Sequence, residues 1–178
     1  MKKVISFVVL LVLLSLHIFA QSKDNKIEEK PSLDGIWILE KVEGPSYLSV
    51  KDYEDYVLAI SSANNQLKIK KKYVFRGEPT NIELTLLTDN RREKNTVPWS
   101  VNKNIEESSK TRIKKNKIIR EHTSKTEING KEQSFRGNEK YYLSKDGNKL
   151  IFEQIQTFPL ILIPGQSNGN KFIFRRKS

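Results

Sequence analysis

The chain has 178 residues, no cysteine, two histidines and 32 Lys+Arg against 21 Asp+Glu, a formal net charge of +11. That length sets one domain as the prior. The absence of cysteine excludes disulfides and a cysteine-linked lipid anchor, and so few histidines exclude a histidine-rich metal centre.

Residues 1–20 open with Met1-Lys2-Lys3 and continue as an apolar run from Val4 to Phe19, interrupted only by Ser6, Ser15 and His17. Ala20 offers a small residue at a cleavage position before Gln21. This is the pattern of a secretory signal peptide, and the run is short for spanning a bilayer. The expectation is an exported protein, periplasmic or secreted, with no transmembrane segment after cleavage. Losing Lys2 and Lys3 leaves 30 basic against 21 acidic residues, a net charge of +9, and His122 as the single histidine. Residues 21–32 are polar, end in Lys30-Pro31-Ser32 and read as a flexible linker, so the domain is expected over 33–178.

The domain begins with a strand from Gly35 to about Val42, with Ile36, Ile38 and Glu40 on one side and Trp37, Leu39 and Lys41 on the other. Glu43-Gly44-Pro45-Ser46 breaks it. Residues 46–55 read as a short helix or an irregular cover over a barrel mouth. Tyr56 to Ser61 is a strand that turns at Asn64-Asn65. In the next strand, Leu67 to Arg76, Leu67, Ile69, Lys71, Tyr73 and Phe75 share one face. Lys71 thus stands on an otherwise apolar face, through a bulge that reverses the register or by pointing inward. Gly77-Glu78-Pro79 reads as the turn, and Thr80 to Thr88 returns with Ile82, Leu84 and Leu86 on one side.

Residues 89–108 show little alternation and read as a long loop. Ser109 to Lys114 and Lys117 to Thr123 form a hairpin around Lys115-Asn116. Asn129-Gly130 is a type I′ hairpin signal. Phe135 to Ser144 pairs with Lys149 to Thr157 through Asp146-Gly147-Asn148. Phe158 to Pro164 is apolar but framed by prolines, which argues against a central strand. Lys171 to Arg176 closes the chain. Nine or ten short strands with hairpin turns and no long amphipathic helix in the domain predict an all-β, antiparallel up-and-down barrel.

Gly35-Ile36-Trp37 at the head of this strand train resembles the lipocalin signature, within the wider calycin superfamily. Tyr-Val-Phe-Arg-Gly-Glu at 73–78, Leu-Thr-Asp-Asn at 87–90 and Tyr-Tyr-Leu-Ser-Lys-Asp-Gly-Asn-Lys-Leu at 141–150 carry the resemblance along most of 33–176. It is similar above all to small secreted bacterial lipocalin-like domains. The resemblance implies that Trp37 plugs one barrel end under a basic residue of the last strand. Arg175 or Arg176 stands there, and Arg175 joins Gly35 and Trp37 as the expected structural signature.

A barrel of eight or more strands can enclose one small apolar ligand. The expected lining is Lys71, Tyr73, Phe75, Leu84, Leu86, Tyr142 and Phe152, with Phe172 and Phe174 beside them. Lys71 would then be a handle for an anionic head group, and the ligand a small apolar or anionic amphiphilic molecule. The other reading is a structural or interaction domain of the cell envelope with a solid core, whose basic exterior or 158–164 loop would contact another molecule, the loop a protein partner. A monomer is expected.

No catalytic constellation is visible. His122 lies beside Glu121, but adjacent strand residues face opposite ways, so that pair does not make a triad. Asp52, Glu54 and Asp55 lack the glycine and ligand spacing of a calcium loop. Neither a cofactor nor a metal is expected. The basic residues are spread over many strands and are not interleaved with aromatics, so they read as a solvated exterior and no nucleic-acid partner is expected.

Overall fold

The computed structural model describes residues 32–44, 49–100, 103–157 and 167–177. Ten strands follow in order: β1 (Gly35–Glu43), β2 (Tyr53–Ala63), β3 (Gln66–Phe75), β4 (Glu78–Leu87), β5 (Asp89–Ser100), β6 (Lys103–Lys114), β7 (Lys117–Ile128), β8 (Lys131–Leu143), β9 (Lys149–Thr157) and β10 (Ser167–Arg176). They form one sheet in the order β4-β3-β2-β1-β10-β9-β8-β7-β6-β5. Every paired neighbour is antiparallel. Because β1 pairs with β10, the up-and-down sheet curls into a nearly closed barrel whose one unladdered seam lies between β4 and β5. Among the described residues, no helix is long and apolar enough to cross a membrane.

Local sequence explains the tight turns. Asn64-Asn65, Arg76-Gly77, Lys115-Asn116 and Asn129-Gly130 each place two successive residues at positive φ. That is the type I′ geometry matching the right-handed twist of the flanking strands. The turn after β3 is therefore Arg76-Gly77, one residue earlier than the sequence suggested, and Glu78-Pro79 already belongs to β4. Pro79 is tolerated there because β4 borders the seam and its missing N–H removes no ladder bond. Pro98 sits likewise in β5, on the other side of the seam.

The expected loop at 89–108 is overturned. β5 spans Asp89–Ser100 and β6 starts at Lys103. Period-two patterning is absent because the inward positions are themselves polar, with Glu93, Asn95 and Glu107 all buried. In the 46–55 stretch, a single 3-10 turn covers Val50–Asp52 and β2 begins at once. Residues 45–48 and the apolar segment 158–164 lie outside the described residues, as do residues 1–31, over which the signal peptide and most of the linker are expected.

Trp37 is fully buried at one barrel end. Its indole N–H donates to the Leu33 carbonyl at 2.9 Å. Of the two candidate arginines, Arg176 covers the indole, with its guanidinium carbon 4.3 Å from the ring. It also donates to the carbonyls of Asp34 and Ser32, both at 2.9 Å. Arg175, taken above as the signature residue, pairs with Ile38 and is exposed. Arg176 stands directly opposite Trp37 and shares the inward face with the buried Phe172 and Phe174, so strand alternation turns Arg175 outward. Gly35 is needed for this arrangement, because its φ is +138° and a Cβ there would stand 2.7 Å from an Arg176 nitrogen.

The interior is two-faced. Leu58, Ile60, Leu67, Ile69, Leu86, Leu150 and Phe174 are packed into one apolar cluster with Trp37. On β5 to β8, the buried inward positions include Glu93, Asn95, Glu107, Ser109, Thr111, Arg120, Ser124, Thr126, Gln133 and Glu139.

Candidate functional site

A cavity of about 510 Å³ lies where these two interiors meet. One wall is aromatic. Asp55 takes positive φ within a register shift between Glu54 and Val57, and this bulge brings Tyr53 and Tyr56, three residues apart, to the same cavity. Their ring centroids are 5.8 Å apart. Tyr73 stands 4.6 Å from Tyr56, and Phe172 stacks on Phe152 at 5.4 Å. Across the seam, Ile82 and Leu84 of β4 face Val97, Pro98 and Trp99 of β5 over the same space.

The other wall is a chain of charges. Lys71 points inward and is only 5% exposed, with β3 in continuous register against β4, so no bulge is involved. Its ammonium donates to Glu139 Oε1 at 2.8 Å and lies 4.3 Å from the Phe152 ring centre. Arg120 donates through Nη1 to Glu139 Oε2 at 3.0 Å, through Nη2 to Glu107, and through Nε to the Ser109 hydroxyl at 3.2 Å. The Tyr141 hydroxyl adds a donor to Glu139 Oε2 at 2.9 Å. Behind this chain, Glu93 Oε1 accepts from Ser109 and Thr111, both at 2.9 Å.

Burial pushes the Glu139 carboxyl up, but Lys71 and Arg120 outweigh it and hold the group well below the usual carboxylate range. Burial acts likewise on Glu107, where His122 and Arg120 prevail and leave it lowered. Burial by itself would make the Arg120 guanidinium easier to deprotonate, but the attraction of Glu139 and Glu107 exceeds that cost, raises its pKa and keeps it charged. Buried charges persist in this way only where partners surround them.

His122 joins the end of the chain. Its Nδ1 lies 2.6 Å from Glu107 Oε2, yet neither ring nitrogen makes a well-angled hydrogen bond. The two groups approach closely without a formed hydrogen bond. The ring lies against Gly137, its cross-strand partner, where a Cβ would fall 2.2 Å from Nε2. Glu121, its chain neighbour, faces outward and pairs with Arg112 at 2.9 Å. Among the described residues no hydrogen bond joins His122 to Ser124, and no group of three or more potential ligands could hold a metal ion.

Of the residues expected to line the barrel, Lys71, Tyr73, Phe75, Leu84 and Phe152 reach the cavity. Leu86 is fully buried in the apolar cluster instead. Tyr142 faces outward, which corrects its expected place. Its hydroxyl donates to Glu153 at 2.6 Å and Lys117 lies 4.3 Å over its ring. Burial and then Glu153 push its phenol up to about 12. Tyr141, paired with Phe152, takes the inward position. In a Tyr-Tyr pair only the register distinguishes the two faces.

Sequence reasoning missed Glu107, Arg120 and Glu139. One signal was present: the stretches between the turn pairs Lys115-Asn116 and Asn129-Gly130 and beyond have uniform strand length, so alternate residues there must face inward whatever their polarity. Compared with known proteins, the chain matches no family model and no curated sequence.

Proposed function

We propose that this is an exported, non-catalytic barrel of lipocalin-like type that takes one small amphiphilic molecule into the cavity. The amphipathic cavity itself carries the reading. Its volume falls in the range of small-molecule sites, and such sites pair apolar lining with a few convergent polar groups. The aromatic wall suits an apolar chain or ring, and Lys71 with its neighbours suits a polar end. Export rests on the sequence of residues 1–20, and the lipocalin-like assignment on Gly35, Trp37 and the strand order together. A non-catalytic role fits a wall whose charges are engaged with one another.

Native mass spectrometry of protein purified gently from its own host tests this. The expected result is a co-purifying small apolar or amphiphilic mass that disappears in Phe75→Trp, which fills the cavity. A bare monomer that takes up neither added amphiphiles nor fluorescent apolar probes would sink the reading. It would leave an interaction domain of the cell envelope, for which the charge chain needs no ligand to be complete.

A further inference from the structure

The charge wall also says what kind of polar end belongs there. Lys71 by itself would suit an anion. With Glu139 at 2.8 Å it does not stand by itself. The charges along the wall alternate as Lys71, Glu139, Arg120, Glu107 and then His122. Two cations face two carboxylates along this chain, with the buried Glu93 carboxylate behind it, so with a neutral imidazole the wall carries no net positive charge. Arg120 spends three of its five N–H donors on Ser109, Glu139 and Glu107, so its charge is already matched by two carboxylates. A carboxylate entering here would meet Glu139 and Glu107 with both cations already engaged, and like charges brought together in a desolvated site repel strongly.

Hydrogen-bonding capacity remains, however. An ammonium has three donors, and Lys71 uses one on Glu139. Among the described residues, the side chains of Ser124, Gln154 and Gln156, all on the cavity lining, make no hydrogen bond. His122 Nε2 is buried without a partner. These are donors and acceptors without net charge to offer.

We propose that the ligand is an uncharged amphiphile whose polar end is a hydroxyl, ester or amide and not an ionised acid. This rests on the reading of the cavity as a ligand site. The neutral end would accept from Lys71 and exchange hydrogen bonds with Ser124 and the two glutamines, leaving the Lys71–Glu139 pair intact.

The test compares three ligands with the same chain, sodium decanoate, methyl decanoate and 1-decanoylglycerol, by calorimetric titration at about pH 8, where an ordinary imidazole is neutral and the acid fully ionised. The two neutral ligands are expected to bind about tenfold or more tighter than decanoate. Decanoate binding as tightly as the neutral pair, or more tightly, would overturn the neutral-ligand proposal and leave the cavity reading standing. Binding of none of the three would overturn both. A second arm uses Glu139→Gln, which keeps an acceptor for Arg120 and Tyr141 but removes one negative charge. There the preference should shift toward decanoate by about tenfold. An unchanged preference in a folded Glu139→Gln would count against the proposal, and the comparison on the unmodified protein decides by itself if that variant does not fold.

Discussion

The wall made by β1 to β4 with β9 and β10 and the wall made by β5 to β8 share one topology, one kind of turn and one interior, yet they are held together differently. The first buries Leu58, Ile69, Leu86, Leu150 and Phe174 with almost no exposed surface. The second buries Glu93, Glu107, Thr111, Arg120 and Glu139, none of them more than 7% exposed. Apolar burial accumulates roughly in proportion to area, so each side chain there contributes separately. A buried ionic chain has the opposite character, because removing one member strands the others. The two walls should therefore respond differently to damage.

The largest difference is expected at Arg120. Arg120→Met takes away the shared partner of Glu139 and Glu107, and stranding buried charges costs about 3–5 kcal/mol. Leu58→Ala in the apolar wall leaves a cavity costing about 2–5 kcal/mol. Urea unfolding gives both losses, but only the first should be recoverable. Adding Glu107→Gln and Glu139→Gln to Arg120→Met removes the stranded charges and should restore much of the stability. A triple variant no more stable than Arg120→Met would mean that packing, not charge balance, holds the polar wall.

Acid should sharpen the same contrast. Glu139 and Glu107 titrate below the ordinary glutamate value of 4.5 when folded. The unfolded chain then takes up protons first as pH falls. Their contribution is complete above the ordinary value and is lost as pH drops toward the folded ones. The urea midpoint should thus hold between about pH 7 and 5 and decline below about pH 4.5, and the decline should be shallower in Glu139→Gln. An identical decline in that variant would place the acid sensitivity elsewhere.

The contrast also decides what was legible before the structure. In β2, β3 and β9 the alternation of large apolar residues announces both the strand and its inward face. Asn64-Asn65 and Asn129-Gly130 announce turns because few residues accept positive φ twice in succession. Lys71 was conspicuous because it interrupts an apolar face. Its partner Glu139 was not, because nothing in the chain marks two residues 68 apart as neighbours. Arg91 to Thr96 read as loop because hydropathy alternation vanishes when both faces of a strand are polar. Tyr141 and Tyr142 could not be separated, since the difference between them is register alone.

A smaller effect is expected where the polar wall is most crowded. Gly137 has an ordinary backbone, and it is the imidazole of His122 that leaves no room for a side chain. Gly137→Ala should cost about 1–3 kcal/mol through overpacking, and His122→Ser should relieve most of it in the double variant. Additive losses in the urea midpoint would show that the glycine serves the backbone instead.

The smallest effect should appear at the seam, where the two walls meet without a ladder. At their other junction, β8 and β9 pair continuously from Arg136 and Thr157 to Leu143 and Leu150. Between β4 and β5, side chains replace the ladder. Asn95 Oδ1 accepts from the Thr85 amide at 2.8 Å while its Nδ2 donates to the Thr85 carbonyl at 3.3 Å. Glu93 accepts from the Leu87 amide at 3.3 Å. An asparagine side chain carries the same donor and acceptor as a peptide, so Asn95 supplies one ladder rung where β5 has none to give. Asn95→Ala removes two neutral hydrogen bonds at an edge that water can reach, a loss of about 1–2 kcal/mol. The more telling readout is local. The Thr85 amide should exchange with solvent faster, while amides across the continuous β8–β9 junction keep their protection. Equal exchange at Thr85 in both proteins would mean that the seam is held by Ile82, Leu84 and Val97 packing across it, and that the barrel closes there by its apolar contacts alone.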